Sequence, residues 1–155
     1  MKNIEYLTSR MKMVFMQRIL DIQYMPVDEH VISITAEDLH EITAWLLSHS
    51  DCYHLSTITA IDNGNTIEML YHFWQEQGMS LKVELNRENA KIESLTDLIP
   101  GASFYEREIH EMFGVDFSGL QYDRPLLLAD NWDGKTFPMR VNPAPLPEKQ
   151  DEEKP

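Results

Sequence analysis

Cysteine is almost missing from this chain: 155 residues carry one, Cys52. A single thiol excludes an internal disulfide and cannot supply the thiolates of an iron–sulfur cluster. Nothing around Cys52 would activate it, and it reads as an inert thiol. Positive charge is scarce too, with 13 Lys and Arg against 26 Asp and Glu and a formal net charge of −13. Phosphate neutralisation needs clustered cations, so a nucleic-acid partner is excluded. No apolar run approaches the roughly 18–20 residues that span a bilayer, so no direct membrane insertion is expected. The opening MKNIEYLTSR lacks the apolar core of a signal peptide. Catalytic and cofactor signatures are absent as well: there is no Gly-x-Ser-x-Gly elbow, no Walker loop and no dinucleotide-binding glycine fingerprint. A reduced, cytoplasmic, water-soluble protein is expected.

What is present suits one domain with a real core. Ile4, Leu7, Met11, Val14, Phe15, Ile19 and Ile22 recur at helical spacing, which predicts an amphipathic helix over 4–24 closed by Pro26. Its basic residues, Lys2, Arg10, Lys12 and Arg18, leave two readings: a surface or targeting helix at a membrane, or a helix packed between protein surfaces. HVISIT (30–35) alternates as a strand. Thr35 is positioned to cap a helix over 36–48, with Asp38 at its third position. Residues 53–62 and 66–74 flank Asp62-Asn63-Gly64-Asn65 and predict a β-hairpin, and 79–85 adds a third strand. His54 and His72 are candidate cross-strand neighbours. Ser103, with Glu106 three positions on, predicts a capping box opening a helix over 104–113, and Gly114 is a ready terminator.

The stretch YEREIHEMFG, 105–114, packs Glu106, Arg107, Glu108, His110 and Glu111 into six consecutive positions. Tyr105, Ile109 and Met112 form its expected inward stripe. Glu106 and His110 stand four apart, as do Arg107 and Glu111, the spacing of surface ion pairs. A di-iron helix needs Glu-x-x-His, and Arg107 occupies the required position; a second histidine for a zinc helix is missing. A metal at Glu106 and His110 would need ligands from elsewhere, and a docking surface for a charged partner is the sharper alternative. Beyond Gly114 periodicity stops, and Pro125, Pro138, Pro143, Pro145 and Pro147 break regular structure. Yet Val115, Phe117, Leu126, Leu127, Leu128, Trp132, Phe137 and Met139 demand burial, at home or on another protein. Only EKQDEEKP, 148–155, reads as a solvated tail.

The run YEREIHEMFGVDFSG resembles the signature of the thirty-kilodalton subunit family of respiratory complex I, the NADH:quinone oxidoreductase. That pattern runs Tyr-Glu-Arg-Glu-x-x-Asp-x-Phe-Gly-Ile-x-Phe-x-Gly. Tyr105, Glu106, Arg107, Glu108, Phe113, Gly114, Phe117 and Gly119 match it, and Glu111 stands at the aspartate position. LSTITAID and SLTDLIPGASFYERE resemble the family's preceding segments. After Gly119 the likeness thins: Arg124 remains of a family His-Pro-x-Leu-Arg-Arg stretch, and Pro138-Met139-Arg140 of a Pro-Leu-Arg-Lys-Asp stretch. The departures point toward the related small subunits of membrane-bound, energy-converting [NiFe] hydrogenases.

The resemblance implies an α+β fold: a two-layer domain with a mixed, largely antiparallel sheet and helices on one face. An N-terminal amphipathic helix (1–27) and an irregular C-terminal arm would flank it. The core would span 28–114, a partner-binding arm 115–147 and a disordered tail 148–155. It implies no catalytic residue, no cofactor and no metal. Partners would be a large catalytic subunit, quinone-type or [NiFe]-hydrogenase-type, and neighbouring iron–sulfur subunits on the cytoplasmic face of a membrane. The expected partner-binding residues are Tyr105, Glu106, Arg107, Glu108, Phe113, Phe117, Arg124, Leu127, Trp132 and Arg140. Two other classes stay open: a stand-alone hydrolase using Glu106 and His110, and a ligand-binding α+β module.

Overall fold

In a computed structural model of the protein, residues 4–26, 29–49, 54–74, 78–122 and 124–141 are described. Cys52 and the segment 142–155, with the expected tail and three of the arm prolines, lie outside them. Among the described residues three helices, α1 (Ile4–Phe15), α2 (Leu39–His49) and α3 (Ala102–Phe113), accompany seven strands. These are β1 (Ile19–Met25), β2 (Glu29–Ile34), β3 (His54–Asp62), β4 (Thr66–Trp74), β5 (Gly78–Asn86), β6 (Lys91–Glu93) and β7 (Asp116–Ser118).

The main sheet has the order β1-β2-β5-β4-β3, and a parallel two-stranded pair joins β6 to β7. In the main sheet only β2–β5 is parallel. The meander β3-β4-β5 follows the predicted hairpin, with Asn63 N–H donating to Thr66 O and Gly64 N–H to the Asp62 carboxylate across its turn. Strand side chains alternate between faces, and Ile32, Ile34, Leu55, Ile58, Ile67, Met69, Tyr71, Phe73, Met79, Leu81, Val83 and Leu85 fall on one of them by register. The same residues form a single buried cluster with the apolar stripes of all three helices. The helices therefore share one face, and the expected two-layer α+β architecture is observed.

The N-terminal segment differs from its expected course. Its helix stops at Phe15, Met16 takes a positive φ of 44° and a 3-10 turn over 16–18 redirects the chain. Residues 19–25 form an edge strand antiparallel to β2, not the second half of a helix. Ile19 and Ile22 are β-branched and stand opposite Ile34 and Ile32, so strand pairing overrides a helical period that these residues fit equally well. Arg18 locks the turn by donating to Asp38 and Glu41, each at 2.6 Å. The stripe Ile4, Leu7, Met11 and Phe15 is buried in the core, and Thr8 Oγ1 meets His30 Nδ1 at 2.8 Å inside it.

Smaller differences have local causes. Thr35 makes no side-chain cap; its hydroxyl donates to Asp38 Oδ2 at 2.7 Å, and a 3-10 turn over 36–38 precedes α2. His54 stands opposite Trp74 and His72 opposite Thr57, so the two imidazoles are not neighbours. His72 instead joins a polar chain on the open sheet face, 3.1 Å from Thr59 Oγ1 and 2.8 Å from Ser80 Oγ, which donates to Glu29.

Candidate partner-docking site

Helix α3 lies between the core and the arm. Its buried positions are Ala102, Glu106, Ile109 and Phe113, spaced four, three and four apart, with Tyr105 and Met112 half-buried beside them. A carboxylate therefore occupies the inward stripe. Glu106 has no exposed surface, and its oxygens accept from Ser94 Oγ at 2.6 Å and from the Leu95 N–H at 2.8 Å. The expected capping box is absent: α3 begins at Ala102, behind Gly101, with no side-chain cap. Burial raises the Glu106 carboxyl above its ordinary value, against the pull of its two donors. The fully buried Tyr71 phenol is pushed well above its usual range by burial and then by the Glu106 charge, and its oxygen has no partner among the described residues.

The outward positions of α3 hold the arm. Glu111 accepts from the consecutive N–H groups of Leu126, Leu127 and Leu128, the last two at 2.8 and 2.9 Å. Burial alone would raise its carboxyl, but those three donors outweigh it and hold the group below the ordinary glutamate value. Arg107 Nη2 donates to the Arg124 carbonyl at 3.0 Å, while its buried Nε has no acceptor among the described residues. The i,i+4 ion pairs expected from spacing are replaced by clamps on main-chain groups.

His110 Nδ1–H donates to Val115 O at 2.9 Å, and its ring lies 4.0 Å from that of Tyr122. Gly114 closes the helix at φ 69°, its N–H donating to His110 O. Phe137 fills the space where a Cβ would be, with ring carbons 2.5 Å from that position. Arg140 Nε donates to Phe113 O at 2.7 Å while its guanidinium stacks 4.8 Å from the Phe137 centroid.

A second anchor, invisible to sequence reading, sits at the hairpin. Asp62 accepts from Arg87 and from the Val141 N–H at 2.9 Å, and Arg87 Nη2 donates to Val141 O. Burial would raise the Asp62 carboxyl, yet the Gly64 N–H, Arg87 and the Val141 N–H together hold it low. Asp62 announces its turn in the sequence; nothing local announces residue 141.

The expected contact residues thus separate. Glu106, Phe113 and Phe117 are 0%, 8% and 1% exposed and present no surface to a partner, because each points into the core that α3 and β7 close. Tyr105 is half-buried, its hydroxyl donating to Ser56 O. Glu108, Arg124 and Leu127 are exposed outside that core, and Arg107, Trp132 and Arg140 are half-buried. Between α3 and the arm lies a pocket of about 340 Å³ whose walls include His110, Tyr122, Arg124, Leu128, Trp132 and Phe137. Elsewhere along the arm Leu127, Met139 and Val141 are at least half exposed. Among the described residues no cluster of three or more His, Cys, Asp or Glu could hold a metal ion, and no helix is long and apolar enough to cross a membrane.

Fold and site define a class: an α+β domain whose C-terminal arm is held to one helix by side-chain clamps. The chain belongs to the family of the respiratory-chain NADH dehydrogenase 30 Kd subunit, whose family model matches residues 32–148. It is 32% identical over 113 residues to an NADH-quinone oxidoreductase subunit of Moorella thermoacetica, covering 70% of this chain and 76% of that protein. It is 32% identical over 117 residues to the like-named protein of Ruegeria pomeroyi, covering 70% of this chain and 57% of that one. Against the like-named protein of Roseiflexus sp. RS-1, identity is 37% over 70 residues, covering 43% of this chain and 40% of that one. The chain thus spans about half the length of some of these relatives.

Two solved structures share the fold. One is a chain of the membrane-bound sulfane sulfur reductase, an archaeal respiratory membrane complex, at TM-score 0.77 and 22% identity, covering 88% of this chain and 82% of that one. The other is the trypsin-resistant fragment (1-134) of Nqo5, at TM-score 0.66 and 18% identity, covering 77% and 98%. The resemblance read from YEREIHEMFGVDFSG is borne out.

Proposed function

We propose that the chain is a non-catalytic, cofactor-free subunit of a complex I-type oxidoreductase or a related membrane-bound respiratory complex, docking on and positioning a large catalytic subunit. Neighbouring iron–sulfur subunits would share the interface, on the cytoplasmic side of the membrane. The observation that carries this reading is the arm. An irregular segment is held in place by main-chain clamps, yet it leaves Leu127, Met139 and Val141 in solvent and an open pocket against α3. Apolar side chains left exposed on an ordered irregular segment mark a protein interface. Family membership supports it, since the relatives are named as subunits of NADH-quinone oxidoreductase.

The hydrolase reading loses its basis in the geometry. Both Glu106 oxygens are engaged inside the core and the carboxylate reaches no solvent, so it cannot activate a water jointly with His110. Affinity purification of the tagged chain from membranes, with mass spectrometry of what accompanies it, tests the proposal. A quinone-type or [NiFe]-type large subunit is expected at equal stoichiometry, and a chain recovered alone overturns it. Absorption spectra and elemental analysis of the isolated chain test the cofactor-free part; a stoichiometric metal or flavin ends it.

A further inference from the structure

Three guanidinium groups gather around the arm pocket without a carboxylate within 4 Å among the described residues. Elsewhere in the described structure Arg18, Lys82, Arg87 and Lys91 each have a carboxylate within 4 Å, while Arg10 and Lys12 on α1 have none. Around the pocket, Arg107, Arg124 and Arg140 form no such pair, in a chain with twice as many acids as bases. Arg107 and Arg140 spend single N–H groups on main-chain carbonyls. Arg124, exposed on the pocket wall, makes no side-chain hydrogen bond or ion pair with any described residue. Glu111, the acid on the same wall, is already saturated by three main-chain donors. The rest of the wall sets Tyr122, Leu128, Trp132 and Phe137 beside the polar His110 and Thr136.

Guanidinium groups bind carboxylates bidentately and do so best beside an apolar wall that excludes water. A pocket of about 340 Å³ lies at the small end of the range for specific binding sites. It has room for one or two side chains.

We propose that this pocket is the socket for an acidic segment of the partner protein. An apolar or aromatic side chain of that segment enters between Trp132 and Phe137, and an adjacent Asp or Glu carboxylate is clasped by Arg124, with Arg107 behind it. The proposal rests on the docking role above and adds to it the place and the chemistry of contact. The net charge of −13 makes the point sharper, because an acidic partner is repelled by most of this chain and attracted only where unpaired guanidinium groups stand, as they do here. The socket therefore fixes orientation as well as affinity.

Arg124→Glu tests it cleanly. The Arg107 clamp uses the main-chain carbonyl of residue 124, which the substitution keeps, and the side chain it removes has no polar contact to lose among the described residues. In the purified complex, Arg124→Glu is expected to weaken recovery of the large subunit at least tenfold and Arg124→Lys only a few-fold, with an unchanged melting temperature of the isolated chain. A photo-crosslinking residue at Leu128 should capture a peptide of the partner containing Asp or Glu beside an apolar residue, and charge reversal of that acid to Lys should restore assembly of Arg124→Glu. If the complex forms normally with Arg124→Glu, the socket is wrong while the docking role stands. Capture of the chain's own acidic 148–155 segment from Leu128 also overturns it. If no large subunit accompanies the wild-type chain, the docking role itself has failed.

Discussion

Two carboxylates five residues apart on α3 face different halves of the molecule. Glu106 points into the core, has no exposed surface and joins the helix to the 94–95 segment. Glu111 points to the arm, half-buried, and gathers three N–H groups of a segment that has no ladder of its own. The core is held by continuous strand pairing and apolar burial, which distribute stability over many residues. The arm is held by a few charge-assisted bonds, so its order rests on a handful of side chains. A region built that way can open locally while the rest stays folded. This suits a segment that must fit itself to a neighbour.

The largest effect should come from the core side. Glu106→Ala leaves the Ser94 hydroxyl and the Leu95 N–H buried without an acceptor, and is expected to cost about 2–4 kcal/mol in denaturant unfolding. A loss below about 1 kcal/mol would show that water reaches the site. Next comes the joint between the halves. Gly114→Ala places a side chain at φ 69° and a methyl against the Phe137 ring. About 1–3 kcal/mol should be lost, with faster proteolysis between 115 and 141 and the ladder amides of β3, β4 and β5 still protected from exchange.

Glu111→Ala should separate the two regions most clearly. About 1–2 kcal/mol is expected, confined to the arm: amide exchange at Leu126–Leu128 rises while the sheet is unchanged. Equal loss of protection in the sheet would mean that arm and core unfold as one unit.

The two carboxylates also titrate in opposite senses. Burial raises the folded value for Glu106, so the folded state binds its proton more readily than the unfolded chain. Its ionisation therefore opposes folding, and stability should rise as pH falls from the raised value toward the ordinary one. Glu111 and Asp62 are held low, so their contribution is complete above ordinary carboxylate values and is lost as pH falls through the depressed ones. Stability against pH should pass through a maximum in mild acid, with the arm released on its acidic side. Glu106→Gln should flatten the neutral limb and leave the acidic one; an unchanged neutral limb would show that Glu106 does not titrate there. The smallest effect, within about 0.5 kcal/mol, is expected for Arg124→Glu on the stability of the isolated chain.

Much of this molecule is written locally. The β3-β4-β5 meander follows from alternation and an Asp-Asn-Gly-Asn turn, and the end of α3 from a glycine that alone tolerates the left-handed conformation without strain. The signature from Tyr105 to Gly119 carries the family by itself. Tertiary structure decided what depends on distant partners. Residues 19–25 fit either period and became a strand because β2 offered an edge. The parallel join of β2 to β5 spans residues far apart in the chain, and no local pattern encodes it. Glu106 reads as surface charge until its neighbours at 102, 109 and 113 show it on the buried stripe, where Ser94 and Leu95 make a carboxylate tolerable. The arm's clamps at Glu111, Arg140 and Asp62 join side chains to main-chain groups, and a main-chain donor has the same chemistry at every residue but proline. Sequence can mark the side chain that reaches; only the fold decides which backbone it finds.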